Sequence, residues 1–313
     1  MSQLPNLIIA GVNKAATTSL YTYLARHPDI CGSSVKETNY FMPIAFGEPL
    51  APIETYAGYF DSCNQRRYRM EASPRYIFGG LKLAQSIRDR LGPIRIVFVL
   101  RQPIDRLRSY FDHMKTSAEL PPDTRCDDYA RRALEELPAV KARTSGAPVN
   151  VYGESIFIRG LAQGFYADYL GEWYSVFADS IRVYFFEDLT RDPGAVMRDL
   201  CAWLGLNAAV YEHVEFSWEN RTMKHKNQML ARIAERINDR YEPFWRRHGR
   251  IKQVVRDLYS WLNEARSGGE RLSPDRRAEL GQVYRPYNQR LLKMLREKGY
   301  RDLPEWLARS SSS

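Results

Sequence analysis

Short apolar runs that end in polar turns recur along the chain and predict its secondary structure. Residues 7–10, 94–100 and 181–186 are hydrophobic stretches, and only one arginine interrupts each of the last two. Nearly continuous apolar runs of this length are typical of strands that are buried on both faces of a parallel sheet. The pattern therefore predicts three such strands.

A turn and a helical pattern follow each of these runs. The first helix is predicted to begin at Thr17, the second to begin near Ile104 and carry Ser109, and the third to cover residues 193–204. Three strand–turn–helix units indicate a three-layer α/β fold, with a central parallel sheet flanked by helices. In such sheets, ligands bind at the carboxyl ends of the strands.

Two longer segments break this alternation. Residues near 114–155 are charged and look like a helix between long loops, and residues 220–268 are irregular and very basic. A tyrosine-rich stretch at 164–177 has helical spacing and is predicted to lie in the core. We predict a single domain over residues 1–309 with insertions at these two segments, and a disordered tail over residues 310–313.

The charge of the chain bears on its partners. Lys and Arg number 46 against 37 Asp and Glu, which gives a formal net charge of +9. Such an excess indicates either a solvated basic surface or attraction for an anionic ligand. The sequence shows no zinc-finger spacing, no RNA-binding aromatic motif and no long basic tract, so we predict no nucleic-acid partner.

Cysteine usage and the N-terminal region bear on the compartment. The four cysteines contain no CxxC pair, which indicates buried or incidental thiols and not a disulfide scaffold or a zinc site. They are Cys31, Cys63, Cys126 and Cys201. The apolar run at residues 7–12 is closed by Lys14 and is too short for a signal-peptide core or a membrane helix. These features predict a cytoplasmic protein with no transmembrane segment.

The first candidate for chemistry is the turn GVNKAATTS, residues 11–19. A strand, a tight turn and a helix N-terminus aim backbone N–H groups and the positive helix end at one point, which favours a phosphate. Lys14 adds a full charge, and the hydroxyls of residues 17–19 add donors. A helix capped by threonines beside an exposed lysine would give the same pattern.

Magnesium-dependent ATP binding fits this turn poorly. Lys14 precedes Ala15 and Ala16, where ATP-binding loops have the serine or threonine that ligates magnesium. The second predicted strand also ends in Arg101, where such proteins often offer an aspartate for the metal. The sequence therefore predicts a phosphate held without a metal ion.

The same stretch, continued as GVNKAATTSLYTYLARHP, resembles the 5′-phosphosulfate loop of sulfotransferases that use 3′-phosphoadenosine-5′-phosphosulfate (PAPS). That loop reads G-x-x-K-x-G-T-[ST]-x-L, followed by L-x-x-H-P, and Ala16 replaces its usual glycine. The resemblance implies a P-loop-like fold and a PAPS-dependent enzyme without a metal. It is strongest to the heparan-sulfate-type (N-deacetylase/N-sulfotransferase-like) branch and implies a soluble, bacterial-type member.

Further segments resemble the same family in chain order. KETNYF (36–41) resembles K-E-x-x-[FY]-F, and LRQPIDRLRSYFDH (100–113) resembles the 3′-phosphate motif L-R-x-P-x-x-R-x-x-S-x-[YF]. FFEDLTRDPGAVMRDLCAWLGL (185–206) resembles an element that packs behind the cofactor site, so Glu187 and Asp188 are interpreted as capping groups. MEASPRY (70–76) and YRPYNQRLLKML (284–295) also have counterparts in that branch.

The resemblance assigns roles residue by residue. Lys14 would neutralise the leaving oxygen, the loop would hold the 5′-phosphate, and the forked Arg101 guanidinium with the Ser109 hydroxyl would hold the 3′-phosphate. Both can face one anion only if the second helix begins just past the strand end. The implied donor-binding residues are Lys14, Ala15, Ala16, Thr17, Thr18, Ser19, Arg101 and Ser109.

The acceptor must lose a proton, and the resemblance implies Glu37 as the general base. Lys36 and Lys14 would tune its charge, so Lys14, Glu37 and Lys36 form the predicted catalytic set. Glu37 paired with Lys36, or capping a turn, is the structural alternative. His113 is expected to be structural, with a catalytic role as the alternative.

Two other functions remain as alternatives, a P-loop-type small-molecule kinase and a non-catalytic nucleotide-binding protein. The expected acceptor is a hydroxyl or amine of a small molecule, glycan, glycolipid or natural product, and specificity is expected to lie in the variable loops. The late basic residues are expected either to close over the cofactor or to hold an acidic acceptor. They are Arg221, Lys224, Lys226, Arg246 and Arg247.

Overall fold

A five-stranded parallel sheet forms the centre of the structure, a computed structural model that describes residues 4–145, 147–214, 216, 224–225, 264–265 and 270–309. The spatial order of the strands is β2-β3-β1-β4-β5. All of the neighbouring pairs run parallel. The strands are β1 (Leu7–Gly11), β2 (Ile30–Gly32), β3 (Tyr68–Ala72), β4 (Arg95–Leu100) and β5 (Ile181–Phe185). This arrangement confirms the predicted α/β class.

Helices flank the sheet and bury its two faces. Those in the first half are α1 (Thr17–Leu24), α2 (Met42–Ala45), α3 (Ile53–Ala57), α4 (Gly80–Leu91), α5 (Pro103–Thr116) and α6 (Cys126–Thr144). Those in the second half of the described chain are α7 (Ile156–Ala162), α8 (Tyr166–Phe177), α9 (Phe186–Arg191), α10 (Pro193–Leu204), α11 (Pro274–Glu297) and α12 (Glu305–Ala308). β1 is fully buried at the middle of the sheet, so the turn after it lies at the centre of the carboxyl edge.

The predicted strands agree with β1, β4 and β5 to within one residue at each end, and the helix over Pro193–Leu204 is confirmed. The tyrosine-rich stretch forms α8, which buries Tyr166, Tyr169 and Trp173. The sequence pattern did not reveal β2 and β3. β2 has only three residues, and β3 (YRMEA) carries Arg69 and Glu71, which interrupt its apolar run.

The cysteine interpretation is wrong for two of the four residues. Cys31 and Cys63 form a disulfide with a Cα–Cα distance of 5.4 Å, although they are 32 residues apart in sequence. Cys126 and Cys201 are buried thiols, as predicted. The pairing arises because β2 lies at the sheet edge beside the turn that precedes β3, and sequence spacing alone does not reveal that proximity.

Residues after 216 are described only in part. A two-residue antiparallel pair joins β6 (Lys224–His225) to β7 (Glu264–Ala265). The predicted tail over 310–313 and the late basic residues lie outside the described residues, except for the backbone of Lys224. Within the described part of the chain, none of the helices has the length and apolar character needed to cross a membrane.

Candidate active site

The turn after β1 has a backbone shape that few residues adopt. Val12 N–H donates to Val99 C=O at 2.9 Å, which fixes the turn to the neighbouring β4. Lys14 and Ala16 both have left-handed φ angles, of 68° and 61°. Such angles are unfavourable for residues with a Cβ and are found where the surrounding structure enforces them, often at functional sites. Ala16 therefore has a backbone conformation that is usual for glycine, although it is an alanine.

Helix α1 starts directly after this turn. Its N-cap residue is Ala16, which has no side chain able to accept from the helix, so a simple threonine-capped start is not what forms. The first turn of a helix has no intrahelical acceptors for its N–H groups, and these groups point toward the carboxyl edge of the sheet. Thr17 and Ser19 are buried, whereas Thr18 is half-buried.

The structure brings two predicted motifs together at Lys14. Arg101, at the end of β4, donates from Nη1 to the Lys14 carbonyl oxygen at 2.9 Å, although 87 residues separate them. Burial, and then the nearby Arg101 charge, lower the pKa of the Lys14 ammonium. Burial also lowers the pKa of the Arg101 guanidinium. Two half-buried cations held this close favour an anion between or beside them.

Arg101 is fixed from several sides. Its guanidinium lies over the Phe186 ring at 4.1 Å from the centroid, and its carbonyl oxygen accepts from the Tyr166 hydroxyl at 2.8 Å. The Tyr166 bond fixes the backbone, while the stacking on Phe186 and the bond to the Lys14 carbonyl restrict the side chain, so the charge is preorganised.

Helix α5 begins at Pro103, two residues beyond Arg101. This start meets the condition under which Arg101 and the half-buried Ser109 can face one anion. The Gln102 side chain caps the helix by accepting from Asp105 N–H at 2.7 Å, and Glu187 Oε1 accepts from Gln102 N–H at 3.0 Å. Glu187 therefore has the capping role that was predicted for it.

Glu37 lies on the loop between β2 and α2, with a left-handed φ of 62°. Its N–H donates to Ala72 C=O at 3.0 Å, which ties it to the end of β3. Lys36 Nζ lies 2.5 Å from Glu37 Oε1, so the ion pair considered as the structural alternative is present. The Glu37 carboxylate is also close enough to Lys14 and His113 to act on both of their pKa values. The three side chains thus share one electrostatic environment.

The surroundings of His113 disfavour its protonated form. Surrounding protein and then the Lys14 charge lower the pKa of His113 to about 4, although the residue is exposed. A ring that is already neutral at pH 7 contributes no positive charge there.

Sequence reasoning missed other residues of the site. Asn13 Oδ1 is buried without a hydrogen-bond partner beside Lys14, and Glu187 Oε2 is unpartnered beside Arg101. Asp112 lies near enough to Lys14 to raise its pKa. Adjacency to Lys14 was a signal for Asn13, but only the fold brings Asp112 to this position. In the described residues, no group of three or more His, Cys, Asp and Glu side chains could hold a metal ion.

The sheet is P-loop-like, and a lysine turn after its central strand, with Arg101 just past the end of the neighbouring β4, is typical of proteins that bind phosphate groups. A family model described as a sulfotransferase domain matches residues 4–253. The chain belongs to the sulfotransferase family.

Relatives of known function are distant in sequence. The bifunctional heparan sulfate N-deacetylase/N-sulfotransferase 3 of Homo sapiens is 25% identical over 97% of this chain and 31% of its own length. The membrane-associated sulfotransferase kil1 of Dictyostelium discoideum is 33% identical over 34% of this chain and 22% of its own length. The chain thus spans about a third or less of these relatives.

A solved structure has the same fold. The sulfotransferase from Alicyclobacillus acidocaldarius superposes with a TM-score of 0.64 at 23% identity, and covers 96% of this chain and 98% of its own. At this level of identity, the likeness shows a shared fold.

Proposed function

We propose that the protein transfers a sulfuryl group from PAPS to a hydroxyl or amine of an acceptor. The observation that carries the proposal is the contact between Arg101 and the Lys14 carbonyl, which unites the two predicted phosphate-binding motifs. Membership of the sulfotransferase family supports the reaction class.

The residues present suit the donor chemically. PAPS carries anionic groups at both the 5′ and 3′ positions, and Lys14 and Arg101 are two half-buried cations at neighbouring strand ends. The unpartnered Asn13 Oδ1 beside Lys14 is a further polar atom of this turn, and it could accept a hydrogen bond. We assign the 5′ end to Lys14 and residues 15–19, and the 3′-phosphate to Arg101 and Ser109.

Bound PAPS would supply a sulfuryl group on a good leaving phosphate. Lys14 would stabilise the negative charge that grows on the oxygen bridging to the 5′-phosphate. Glu37 would accept the proton of the acceptor as the new bond to sulfur forms and the bond to that bridging oxygen breaks, which leaves adenosine 3′,5′-bisphosphate. Lys36, 2.5 Å from Glu37, would keep the carboxylate oriented.

The acceptor is proposed as a class and not as a compound. It is a small molecule, glycan, glycolipid or natural product with a hydroxyl or amine that reaches Glu37. The name of the human relative mentions N-sulfotransfer on heparan sulfate. An amine-bearing glycan therefore belongs on the panel beside alcohols, phenols and sugars.

The test is transfer of labelled sulfate from PAPS over this acceptor panel, with EDTA present. Wild-type protein is expected to label at least one class, and Glu37→Gln to lower kcat about 100-fold or more, because general-base catalysis contributes that much. Binding of adenosine 3′,5′-bisphosphate is expected to be unchanged in Glu37→Gln. Wild-type kcat in that variant would remove Glu37 as the base, and turnover of ATP with magnesium would favour a kinase.

The cytoplasmic location remains a prediction. The disulfide between Cys31 and Cys63 favours an oxidising environment, since cytosolic thiols are normally kept reduced. Alkylation of thiols in intact cells, followed by peptide mapping, distinguishes a cytoplasmic location from an oxidising compartment. Alkylated Cys31 and Cys63 would support the cytoplasm, and protection of both would argue against it.

A further inference from the structure

Glu71 is a fully buried carboxylate on β3, between the strand and the loop that carries Glu37. Four side-chain hydroxyls donate hydrogen bonds to it. Oε1 accepts from Thr38, from Ser73 at 2.6 Å and from Tyr76 at 2.8 Å, while Oε2 accepts from Tyr56. Three of the four hydroxyls share Oε1 and one uses Oε2, so a single buried carboxylate joins all four donors.

Two of these hydroxyls also accept from the backbone of the Glu37 loop, defined as residues 36–41. Ser73 Oγ accepts from Asn39 N–H at 3.1 Å, and the Tyr76 hydroxyl accepts from Phe41 N–H at 3.2 Å. Because each hydroxyl gives its only hydrogen to Glu71, its lone pairs are left for the loop. Glu71 thus fixes the direction of both hydrogen bonds.

The loop needs such support, because its backbone is unfavourable by itself. Glu37 and Asn39 both have left-handed φ angles, of 62° and 50°. Non-glycine residues keep such angles only where surrounding contacts enforce them. The enforcing contacts are the three loop N–H groups of Glu37, Asn39 and Phe41, which all donate to residues 72–76.

We propose that Glu71 is a positioning residue, which holds the Glu37 carboxylate in place through Thr38, Ser73 and Tyr76. The effect on transfer rests on the proposed role of Glu37 as base. The hold on the loop does not rest on it, because the hydrogen bonds are independent of the reaction.

The need to fill a buried position does not explain why a carboxylate stands at position 71. Burial raises the pKa of Glu71, and its hydroxyl partners act against that shift. A purely structural core would place an apolar residue here at lower cost, since unpaired buried charge is unfavourable. The carboxylate instead joins donors from α3, from the Glu37 loop and from the segment that follows β3 into one network, and a fully satisfied network of this kind is rigid.

The hold is tested by hydrogen–deuterium exchange of the protein without ligands. Glu71→Gln keeps the volume but removes the negative charge, so Thr38, Ser73 and Tyr76 lose the charge-assisted acceptor that orients them, and the hydroxyl that faces the new NH2 group must turn away. Exchange of a peptide covering residues 36–42 is expected to accelerate about tenfold or more, while a peptide covering 17–24 stays unchanged. Tyr68→Phe is the control, because it removes a buried hydroxyl of β3 that donates to Leu204 C=O and not to Glu71. Unchanged exchange at 36–42, or equal acceleration everywhere, would overturn the proposal.

The consequence for transfer is tested by a double-mutant cycle with Glu37→Gln. The assay uses labelled PAPS and whichever panel compound is turned over fastest. Glu71→Gln alone is expected to lower kcat about 10- to 100-fold with the KM for PAPS within twofold, because misplacing a reacting group is costly. In the Glu37→Gln background it should cost less than about threefold, since there is no base left to misplace.

The outcomes separate the two proposals. An equal cost of Glu71→Gln in both backgrounds would remove the positioning role and leave Glu37 as base. A Glu37→Gln variant with wild-type kcat would remove the base, while the exchange data still decide the hold. If Glu71→Gln does not fold, Ser73→Ala and Tyr76→Phe each keep the carboxylate and remove one loop acceptor. Each of the two is then expected to accelerate exchange at 36–42, and no acceleration in either would overturn the proposal.

Discussion

The two halves of the candidate site are built in different ways. The donor loop, residues 11–16, connects β1 directly to α1, and its shape is set by adjacent residues and by the strand beside it. The Glu37 loop has no helix or strand of its own. Its conformation depends on Glu71, Ser73 and Tyr76, which lie more than 30 residues further along the chain.

This difference has a physical basis. Phosphate groups are recognised well by backbone N–H groups and one or two cations, so a short local motif suffices for the donor. A general base must instead be held at one position relative to a variable acceptor. The structure achieves this with a buried carboxylate network, whose members the fold brings together. A local change should therefore damage donor chemistry directly, whereas the acceptor half can be damaged from a distance.

The sharpest test of the donor half is Lys14→Met. Loss of the ammonium leaves the growing charge on the leaving oxygen without its cation, so we expect kcat to fall about 1000-fold. Thermal stability should stay near that of the wild type, because Lys14 is half-buried beside another cation, Arg101. The measurement is kcat for labelled sulfate transfer. Lys293→Met, an exposed lysine on α11, is the control. A loss below tenfold would contradict the assigned role.

The acceptor half also contains the disulfide between Cys31 and Cys63, which allows a test of how far distant residues stabilise it. Cys31→Ala with Cys63→Ala opens a loop of 32 residues, which is expected to lower the free energy of unfolding by about 3 kcal/mol. The measurement is urea unfolding with and without reductant. Reductant should destabilise the wild type and leave the double variant unchanged.

Donor binding provides the comparison for this variant. The affinity for adenosine 3′,5′-bisphosphate should stay within twofold, because Cys31 lies on the edge strand β2, which β3 separates from β1 and the donor loop. If reductant does not change the free energy of unfolding of the wild type, the disulfide does not stabilise the fold as predicted.

The donor half could be predicted from the sequence, whereas the support of the Glu37 loop could not. β1, β4 and β5 are nearly continuous apolar runs, so their positions and the donor loop could be predicted from local pattern. β3 could not, because the buried Glu71 makes its pattern look half-exposed. The motif that contains Glu37 is local and was found. Its support was not found, since a buried glutamate is recognisable only when the hydroxyls around it are known.

Arg101→Lys gives a smaller effect within the donor half. Lysine keeps the charge but loses the forked donor and the stacking on Phe186, which lies 4.1 Å away. We expect the dissociation constant for adenosine 3′,5′-bisphosphate to rise about tenfold, measured by calorimetry. The control is Arg95→Lys, at the other end of the same strand and stacked on Trp203. Equal effects of the two changes would argue against a specific phosphate contact.

The smallest effect is expected at His113, which lies where the two halves meet. Surrounding protein and Lys14 lower its pKa to about 4, so the ring is neutral throughout the range from pH 5.5 to 8.5. His113→Asn should therefore leave the pH dependence of kcat unchanged in that range, and a shifted or lost limb in the profile would make His113 the titrating group.

The lowered pKa of His113 also predicts how the free energy of unfolding changes with pH. The unfolded chain binds a proton near its ordinary pKa of 6.5, and the folded chain only near 4, so stability falls as pH drops between these values. His113→Asn should weaken that fall slightly, since the exposed ring is partly solvated.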